Sequence, residues 1–169
     1  MEETRLWLHH VSSPLGGITL ASDGEALLAL CFDGQKYFER SIPTGGTERA
    51  LPLFTRAEDW LAAYFGGEKP DFTPPLRLRG TAFQQAVWAL LLTIPYGETR
   101  TYGELSRALA REMGRPGLSA QAVGGAVGRN PVSLIVPCHR VVGAHGALTG
   151  YAGGIARKEA LLRLEGALR

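Results

Sequence analysis

The first half of the chain has the pattern of apolar and turn-forming positions that is typical of short strands. Apolar runs cover residues 15–20 and 26–32, and the turn signals Asp23-Gly24 and Asp33-Gly34 follow them. Short apolar runs bounded by Asp-Gly pairs are typical of strands joined by tight turns. We therefore predict a β-meander in this part of the chain.

Helical spacing begins in the middle of the chain. We predict one helix over residues 56–64, which Gly66-Gly67 ends. A second helix starts at the N-cap candidate Thr81 and stops at Pro95. One face of this second helix carries the apolar residues Phe83, Val87, Leu90, Leu91 and Ile94.

Two more short helices follow, joined by a Gly/Pro turn. Thr101 and Glu104 form a Thr-x-x-Glu capping box that opens the first, and the 114–117 stretch closes it. The next helix runs from Ser119 to about residue 128. Such a pair predicts a helix-turn-helix, a pattern that DNA-binding proteins share with many unrelated ones.

The helix after Ser119 is rich in small residues. It contains Gly124, Gly125 and Gly128, and each interior glycine costs about 1 kcal/mol relative to alanine. Either a neighbouring element packs tightly against this helix or a ligand such as a DNA backbone approaches it closely. Its slim face around Gln121 is formed by Ala120, Ala122 and Ala126.

The last quarter of the chain contains one apolar run and one helix. Residues 132–136 have strong β character and predict a strand that leads to Cys138. A final helix is predicted over residues 157–165.

The charges are divided unevenly along the chain. Residues 1–75 hold 6 Lys and Arg against 11 Asp and Glu, a net charge of −5, whereas residues 76–169 hold 12 against 5, a net charge of +7. The prolines between residues 70 and 75 mark a linker where the sign changes, so we place a boundary near residues 70–78 and predict domains of residues 1–75 and 76–169. Either the basic half meets a polyanion or its charge only keeps the surface soluble.

The composition excludes several classes of protein. The chain has 169 residues, 45% hydrophobic and 20% charged, which is typical of a soluble globular protein. The sequence lacks an apolar run of about 18 residues and a secretion signal, so we expect a cytoplasmic protein without a membrane partner. Its two cysteines, Cys31 and Cys138, are too few for a disulfide framework or a structural zinc site, and we predict no metal.

Cys138 differs from an ordinary buried cysteine. A lone cysteine is more often a small apolar residue than a nucleophile, and Cys31 inside an apolar run fits that interpretation. Cys138 follows a proline and precedes His139 and Arg140, which could stabilise a thiolate and lower the pKa of the thiol.

Two further conditions must be met if His139 is to act as the base for Cys138. Neighbouring side chains of an extended segment point to opposite faces, so a contact between His139 and the sulfur requires a bend or a bridging water. A histidine base also needs an orienting carboxylate. Spacing alone does not choose among Glu104, Glu159 and Glu165.

The residues from 81 to 166 match a known family in ordered blocks. These blocks are Pro137-Cys138-His139-Arg140-Val141, the upstream Asn130-Pro131, Tyr102 within Thr-Tyr-Gly-Glu-Leu, Ala122-Val123-Gly124-Gly125-Ala126, and Tyr151-Ala152-Gly153-Gly154 before Lys158-Glu159. Together they resemble the O6-alkylguanine-DNA alkyltransferases, also called methylated-DNA–protein-cysteine methyltransferases. Over residues 1–75 the likeness is limited to general arrangement.

The resemblance implies an α/β (α+β) fold, with a small N-terminal ribonuclease-H-like β-rich domain and a C-terminal helical domain carrying a winged helix-turn-helix. It implies DNA repair by direct reversal, in which the methyl or alkyl group of O6-methylguanine moves irreversibly to Cys138. O4-methylthymine is a further candidate substrate. The resemblance also implies that the transfer occurs once per molecule and needs no cofactor. The implied partner is double-stranded DNA containing O6-alkylguanine, contacted in the minor groove by a monomer, with the target nucleotide flipped out.

The resemblance also implies the catalytic roles. Cys138 looks like the acceptor thiolate, His139 looks like its base through a water, and Glu165 looks like the group that holds the imidazole. Tyr102 resembles the tyrosine that presses on the phosphate 3′ of the lesion and gives a proton to the leaving guanine. Asn130 resembles the hinge residue beside the site.

Binding roles follow in the same way. The flipped guanine is expected against Val141, Tyr151, Ala152 and Gly153, with Tyr151 stacking on it. The implied DNA contacts are Gln121, Ala120, Ala122, Gly124, Arg129 and Lys158. The family places an arginine where this chain has Gln121, so we expect weaker DNA binding or slower repair than is usual for the family.

Two other functions fit part of the sequence. A lesion-binding alkyltransferase-like protein keeps the fold but replaces the reactive cysteine, and Cys138 argues against it. A cysteine hydrolase could use Cys138, His139 and a carboxylate or Asn130, but hydrolytic dyads usually come from distant segments.

Overall fold

A computed structural model describes residues 5–42 and 44–168, and the chain divides into two compact units. The first unit contains the described residues up to Arg79 together with Pro131–Ser133. The second contains Gly80–Asn130 and the described residues from Leu134 onward. The mixed α/β class agrees with the prediction.

The first unit is built on a sheet whose strands pair in the order β3-β2-β1-β4. The strands are β1 (Trp7–Val11), β2 (Ile18–Ser22), β3 (Leu27–Phe32) and β4 (Thr47–Glu48), and the pairs are antiparallel except β1 with β4. β2 and β3 correspond to the two predicted apolar runs, and every residue in both is buried.

Two helices accompany this sheet, α1 (Phe38–Ser41) and α2 (Pro52–Phe65). α2 begins four residues before the predicted start, because Pro52 at the first turn already has the backbone angle that a helix needs. It ends at Gly66 as predicted and buries Leu53, Phe54, Ala57, Trp60, Leu61 and Tyr64.

The first unit reaches further along the chain than residue 75. Leu27 donates a backbone hydrogen bond to Pro75 and accepts one from Arg77. Leu30 donates to Pro131 and accepts from Ser133, at 2.9 Å each. The predicted domains were continuous stretches, and this division differs from them because residues 131–133 hydrogen-bond with β3.

The second unit contains α3 (Ala82–Leu91), α4 (Tyr102–Met113), α5 (Ala120–Gly128) and α6 (Ile155–Leu164). Thr81 and Thr101 form capping boxes with Gln84 and Glu104, and Ser119 caps α5. The three caps satisfy backbone N–H groups that would otherwise lack partners, and this is why the helices start where the sequence predicts. α4 ends at Gly114 in a left-handed conformation, and α4 and α5 form the predicted helix-turn-helix.

Helix packing brings apolar side chains together inside the second unit. Trp88 of α3 is buried, and its indole Nε1 donates to the carbonyl of Ala126 in α5 at 2.9 Å. A short parallel pair, β5 (Arg100–Thr101) with β6 (Val141–Val142), joins the start of α4 to the segment after Cys138. Within the described residues, each helix is too short or too polar to cross a bilayer.

The strand predicted over residues 132–136 is wrong. Val132 makes a single bridge to Leu30, and the chain then turns. Leu134 is fully buried with φ at 71°, in the left-handed region that costs a non-glycine residue about 1 kcal/mol. Burial of apolar side chains on a turn therefore overrides local β propensity, and Cys138 follows a turn rather than a strand.

Candidate active site

Cys138 opens a single 3₁₀ turn, Cys138–Arg140. The turn is closed by a hydrogen bond from the N–H of Arg140 to the carbonyl of Pro137 at 3.0 Å. Three residues per turn send successive side chains in directions about 120° apart, so Cys138, His139 and Arg140 each meet a different part of the second unit. The chain therefore bends at Cys138 instead of continuing as an extended strand.

The Cys138 thiol is buried, with 5% of the residue exposed. Burial raises the pKa of the thiol above its usual value, while a hydrogen bond with Asn130 and the charge of Lys158 oppose that rise. Asn130 is itself buried and donates through Nδ2 to the carbonyl of Val136 at 2.7 Å. The pKa of the thiol is thus raised and not lowered as expected: the backbone N–H groups of Cys138 and His139 also oppose the rise, but the side chains of His139 and Arg140 pair with a carboxylate instead.

That carboxylate belongs to Glu165, the C-terminal cap of α6. His139 Nε2 lies 2.5 Å from Glu165 Oε2, and Arg140 Nε donates to Glu165 Oε1 at 2.8 Å. The side chains of His139 and Glu165 are both fully buried. Of the carboxylates that spacing left open, Glu104 caps α4 and Glu159 pairs with Arg163, so Glu165 alone of these three meets His139.

His139 is held with its Nε2–H toward Glu165, because a carboxylate oxygen can only accept. Burial lowers the pKa of His139, and the charges of Arg140 and Lys158 lower it further, whereas the hydrogen bond and charge of Glu165 raise it. The net direction is downward, which favours a neutral imidazole that is able to take a proton.

Tyr102 and Lys158 meet at the loop before α6. Tyr102 Oη donates to the carbonyls of Gly150 and Thr149 at 3.2 and 3.4 Å, and Lys158 Nζ donates to Thr149 at 2.8 Å. The Lys158 ammonium also lies 5.9 Å from the centre of the Tyr102 ring. Burial, with the charge of Cys138, raises the pKa of Tyr102.

The structure corrects the expected role of Lys158. The residue is completely buried, and burial lowers the pKa of its amine to about 8. A buried side chain cannot be the predicted surface contact with DNA. The burial of Lys158 could have been predicted from the spacing of residues along α6. Lys158 precedes Leu161, Leu162 and Glu165 by three, four and seven residues, so all four lie on one buried face of the helix.

The predicted guanine-binding residues lie in β6 and in the turn before α6. Val141 is buried, and its N–H donates to the carbonyl of Cys138. The ring of Tyr151 lies against Gly153, where an added Cβ would be 2.6 Å from the ring, so only glycine fits under it. Ala152 between them is partly exposed.

The predicted DNA-contacting residues of α5 lie at the surface. Ala120, Gln121 and Ala122 are exposed, and Arg129, just after the helix, donates to the carbonyl of Gly125 at 3.3 Å. A Cβ at Gly124 would be 3.6 Å from the Tyr102 ring, an ordinary contact. Tight packing therefore does not require these glycines, and nothing lies within 4 Å of the Cβ position at Gly128.

The contact of Arg140 with Ile94 was not predicted from the sequence. Besides Glu165, Arg140 donates through a terminal nitrogen to the carbonyl of Ile94 at 2.8 Å, and Glu165 also accepts from the N–H of Gly97 at 3.0 Å. These partners are about 40 to 70 residues apart in sequence, and only an alignment or a structure could have joined them. Within the part of the chain that the structure describes, we find no cluster of His, Cys, Asp or Glu suited to a metal ion.

The fold and site define an α/β protein whose C-terminal unit joins a helix-turn-helix to a buried cysteine, which is followed in sequence by a histidine that pairs with the distant Glu165. Two family models match it. The model described as 6-O-methylguanine DNA methyltransferase, DNA binding domain, covers residues 82–167, and the one described as its ribonuclease-like domain covers residues 8–78. The chain belongs to the 6-O-methylguanine DNA methyltransferase family.

Known relatives are similar over nearly the whole chain. The methylated-DNA–protein-cysteine methyltransferase of Mycobacterium tuberculosis is 52% identical over 158 residues, which are 92% of this chain and 89% of that protein. That of Methanosarcina acetivorans is 50% identical, covering 91% and 94%. The crystal structure of Mycobacterium tuberculosis OGT in complex with DNA is similar with a TM-score of 0.82 at 50% identity, covering 95% and 93% of the two chains.

Proposed function

We propose that this protein repairs alkylated DNA by moving the alkyl group from O6 of guanine to the sulfur of Cys138. The observation that carries the proposal is the buried Cys138–His139–Glu165 arrangement in the unit that matches the DNA-binding domain of the family. The relatives named methylated-DNA–protein-cysteine methyltransferase support the same reaction.

The chemistry begins with the thiol proton. With Nε2–H donated to Glu165, His139 carries its lone pair on Nδ1, which accepts the proton of Cys138 through a water. The thiolate then attacks the alkyl carbon in line, the carbon–sulfur bond forms, and the carbon–oxygen bond breaks. The electron pair leaves with guanine, which gains a proton from Tyr102.

The product explains the stoichiometry. A thioether, unlike a thioester, is not hydrolysed by water, so each molecule acts once and needs no cofactor. The protein is consumed as a reagent in the reaction that it accelerates.

DNA binding follows from the exposed face of α5. The O6 substituent lies within the stacked duplex, so the nucleotide is flipped out and held against Val141 and the 151–153 turn. The small residues of α5 enter the minor groove, where contacts are mainly to phosphate. We propose a monomer on O6-alkylguanine DNA, working in the cytoplasm and on the nucleoid.

Mass spectrometry of the protein after incubation with an O6-methylguanine duplex tests this function. We expect the Cys138 peptide to gain the mass of one methylene group, at most once per protein and only with the lesion. Cys31 is an internal control because it is also buried and should stay unmodified. Preferential lesion binding without a mass gain would instead indicate the sensor function, and a Cys138→Ser protein is the matched negative control.

A further inference from the structure

The buried carboxylate of Glu165 has two further partners besides His139. Arg140 Nε donates to its Oε1 at 2.8 Å, Gly97 N–H donates to the same oxygen at 3.0 Å, and His139 Nε2 lies 2.5 Å from Oε2. The side chain of Glu165 is fully buried and that of Arg140 is 10% exposed. Arg140 is therefore a cation in direct contact with this carboxylate.

Arg140 is itself held at more than one point. A terminal nitrogen of its guanidinium donates to the carbonyl of Ile94 at 2.8 Å, and the guanidinium lies 5.7 Å from the centre of the Tyr96 ring. A planar guanidinium fixed by hydrogen bonds at two of its nitrogens has little freedom to move. Its charge therefore stays beside Glu165.

Burial is the largest cause of the lowered pKa of His139, and the charge balance around Glu165 acts on the same pKa in addition. When a buried carboxylate has an imidazole beside it and no cation, the imidazole takes up a proton more readily. The reason is that an uncompensated buried charge is costly. With Arg140 already paired to Glu165, a second positive charge on His139 meets repulsion instead. The charged groups that face His139 are Glu165 and Lys158 from α6, and Arg140 from its own turn.

We propose that Arg140 is a positioning residue for alkyl transfer, whose guanidinium balances the Glu165 carboxylate so that His139 stays a neutral base with Nε2–H toward Glu165. The inference rests on the proposed function, because it assigns His139 the task of accepting the Cys138 proton. A histidine that already carries two protons cannot accept a third. Arg140 thus acts through Glu165 and His139 and does not touch the reacting atoms.

The protonation of His139 is measurable without DNA. In protein labelled with ¹⁵N in its histidine rings, long-range ¹H–¹⁵N spectra from pH 5 to 9 give the ionisation and tautomer of each ring, and a His139→Gln protein assigns the signals. We expect a neutral Nε2–H imidazole at pH 7 in the unaltered protein. In Arg140→Met we expect the pKa of His139 to be higher by about one unit or more, so that the imidazolium persists to higher pH than in the unaltered protein.

Matched variants separate charge from packing. Arg140→Lys keeps the charge and should leave most of the original titration in place. The double variant Arg140→Met/Glu165→Gln removes both charges, and the pKa of His139 should fall back below that of Arg140→Met. Should Arg140→Met fail to fold, Arg140→Gln removes the same charge and retains an amide that can donate to Ile94. The ring signals of His9, His10 and His145 are internal controls, because they should be the same in every variant.

Single-turnover transfer rates give a second readout. We expect the acid side of the pH–rate profile in Arg140→Met to move upward with the pKa of His139, with a loss that approaches about tenfold toward acid pH and little loss near pH 9. A uniform loss at every pH, or a pKa of His139 in Arg140→Met no higher than in the unaltered protein, would overturn the proposal. If the unaltered protein transferred no alkyl group, the proposed function would fail, while the ¹⁵N titration would still decide the role of Arg140.

Discussion

At the scale of single residues, burial determines what each charged side chain of the second unit can do. Lys158 and Arg163 both belong to α6, yet Lys158 is completely buried beside Tyr102 and Arg163 pairs with Glu159 at the surface. An exposed pair contributes little to stability because water screens it. The buried amine of Lys158 is the one whose pKa is shifted by burial in the folded protein.

Lys158 therefore predicts a specific dependence of stability on pH. Its pKa is about 8 in the folded protein and about 10.5 in the unfolded chain, so below pH 8 the buried charge destabilises the fold in full. Between pH 8 and 10.5 the unfolded chain binds more protons, and stability rises with pH. The free energy of unfolding of the unaltered protein minus that of Lys158→Met should rise by up to about 3 kcal/mol over this range.

Denaturant unfolding at pH 7, 8.5 and 10 measures this difference. Lys69→Met is the matched control, because Lys69 is exposed and its substitution should give a difference that hardly changes with pH. A difference for Lys158→Met that stayed constant from pH 7 to 10 would show that the amine is not held in the folded protein as the structure places it.

At the scale of elements, α5 combines a good N-cap with a poor helical sequence. Ser119 accepts a hydrogen bond from the N–H of Ala122 at 3.1 Å, but glycines follow within two turns. The Cβ position at Gly125 meets only Arg129, at 3.6 Å. The protein itself leaves room for a larger side chain there, and this favours the hypothesis that a ligand approaches this face.

We expect Gly125→Ala to stabilise the protein and weaken its binding to DNA. The alanine should add about 0.5 to 1 kcal/mol of stability because it restricts the unfolded chain and favours the helix. Its methyl group should lower affinity for an O6-methylguanine duplex if a DNA backbone passes here. Thermal unfolding and a binding titration on one preparation test both parts, and a more stable protein with unchanged affinity would contradict the groove hypothesis.

Helix starts could be predicted from the sequence, whereas the turn before Cys138 could not. Thr81 and Thr101 have local partners three residues away, so the sequence itself contains the signal. Leu134 adopts its left-handed conformation because burial of apolar side chains outweighs the local cost, and no local pattern records that. The same holds for the joining of Arg140 to Ile94, 46 residues apart.

At the scale of the whole molecule, the uneven charge is the feature that the sequence predicts most directly. The net charge is −5 over residues 1–75 and +7 over residues 76–169. Cations that contact phosphates release counterions, so each such contact contributes about 0.9 to the slope of log affinity against log salt concentration. When a single charge is altered, the change in this slope therefore shows whether that charge contacts a phosphate. Charges in each half of the chain can be tested separately in this way.

A matched set of exposed substitutions applies this count. Gln121→Arg should steepen the salt dependence of binding to a lesion duplex by about 0.9 and raise both affinity and transfer rate, whereas Arg129→Gln should lessen the slope by about the same amount. Thr55→Arg and Arg56→Gln make the same charge changes on α2 of the acidic half and should leave the slope almost unchanged. If all four variants altered the slope equally, net charge alone would govern binding and no defined DNA face would exist. If Gln121→Arg changed neither affinity nor transfer rate, the expectation that glutamine at this position weakens DNA binding or slows repair would be wrong.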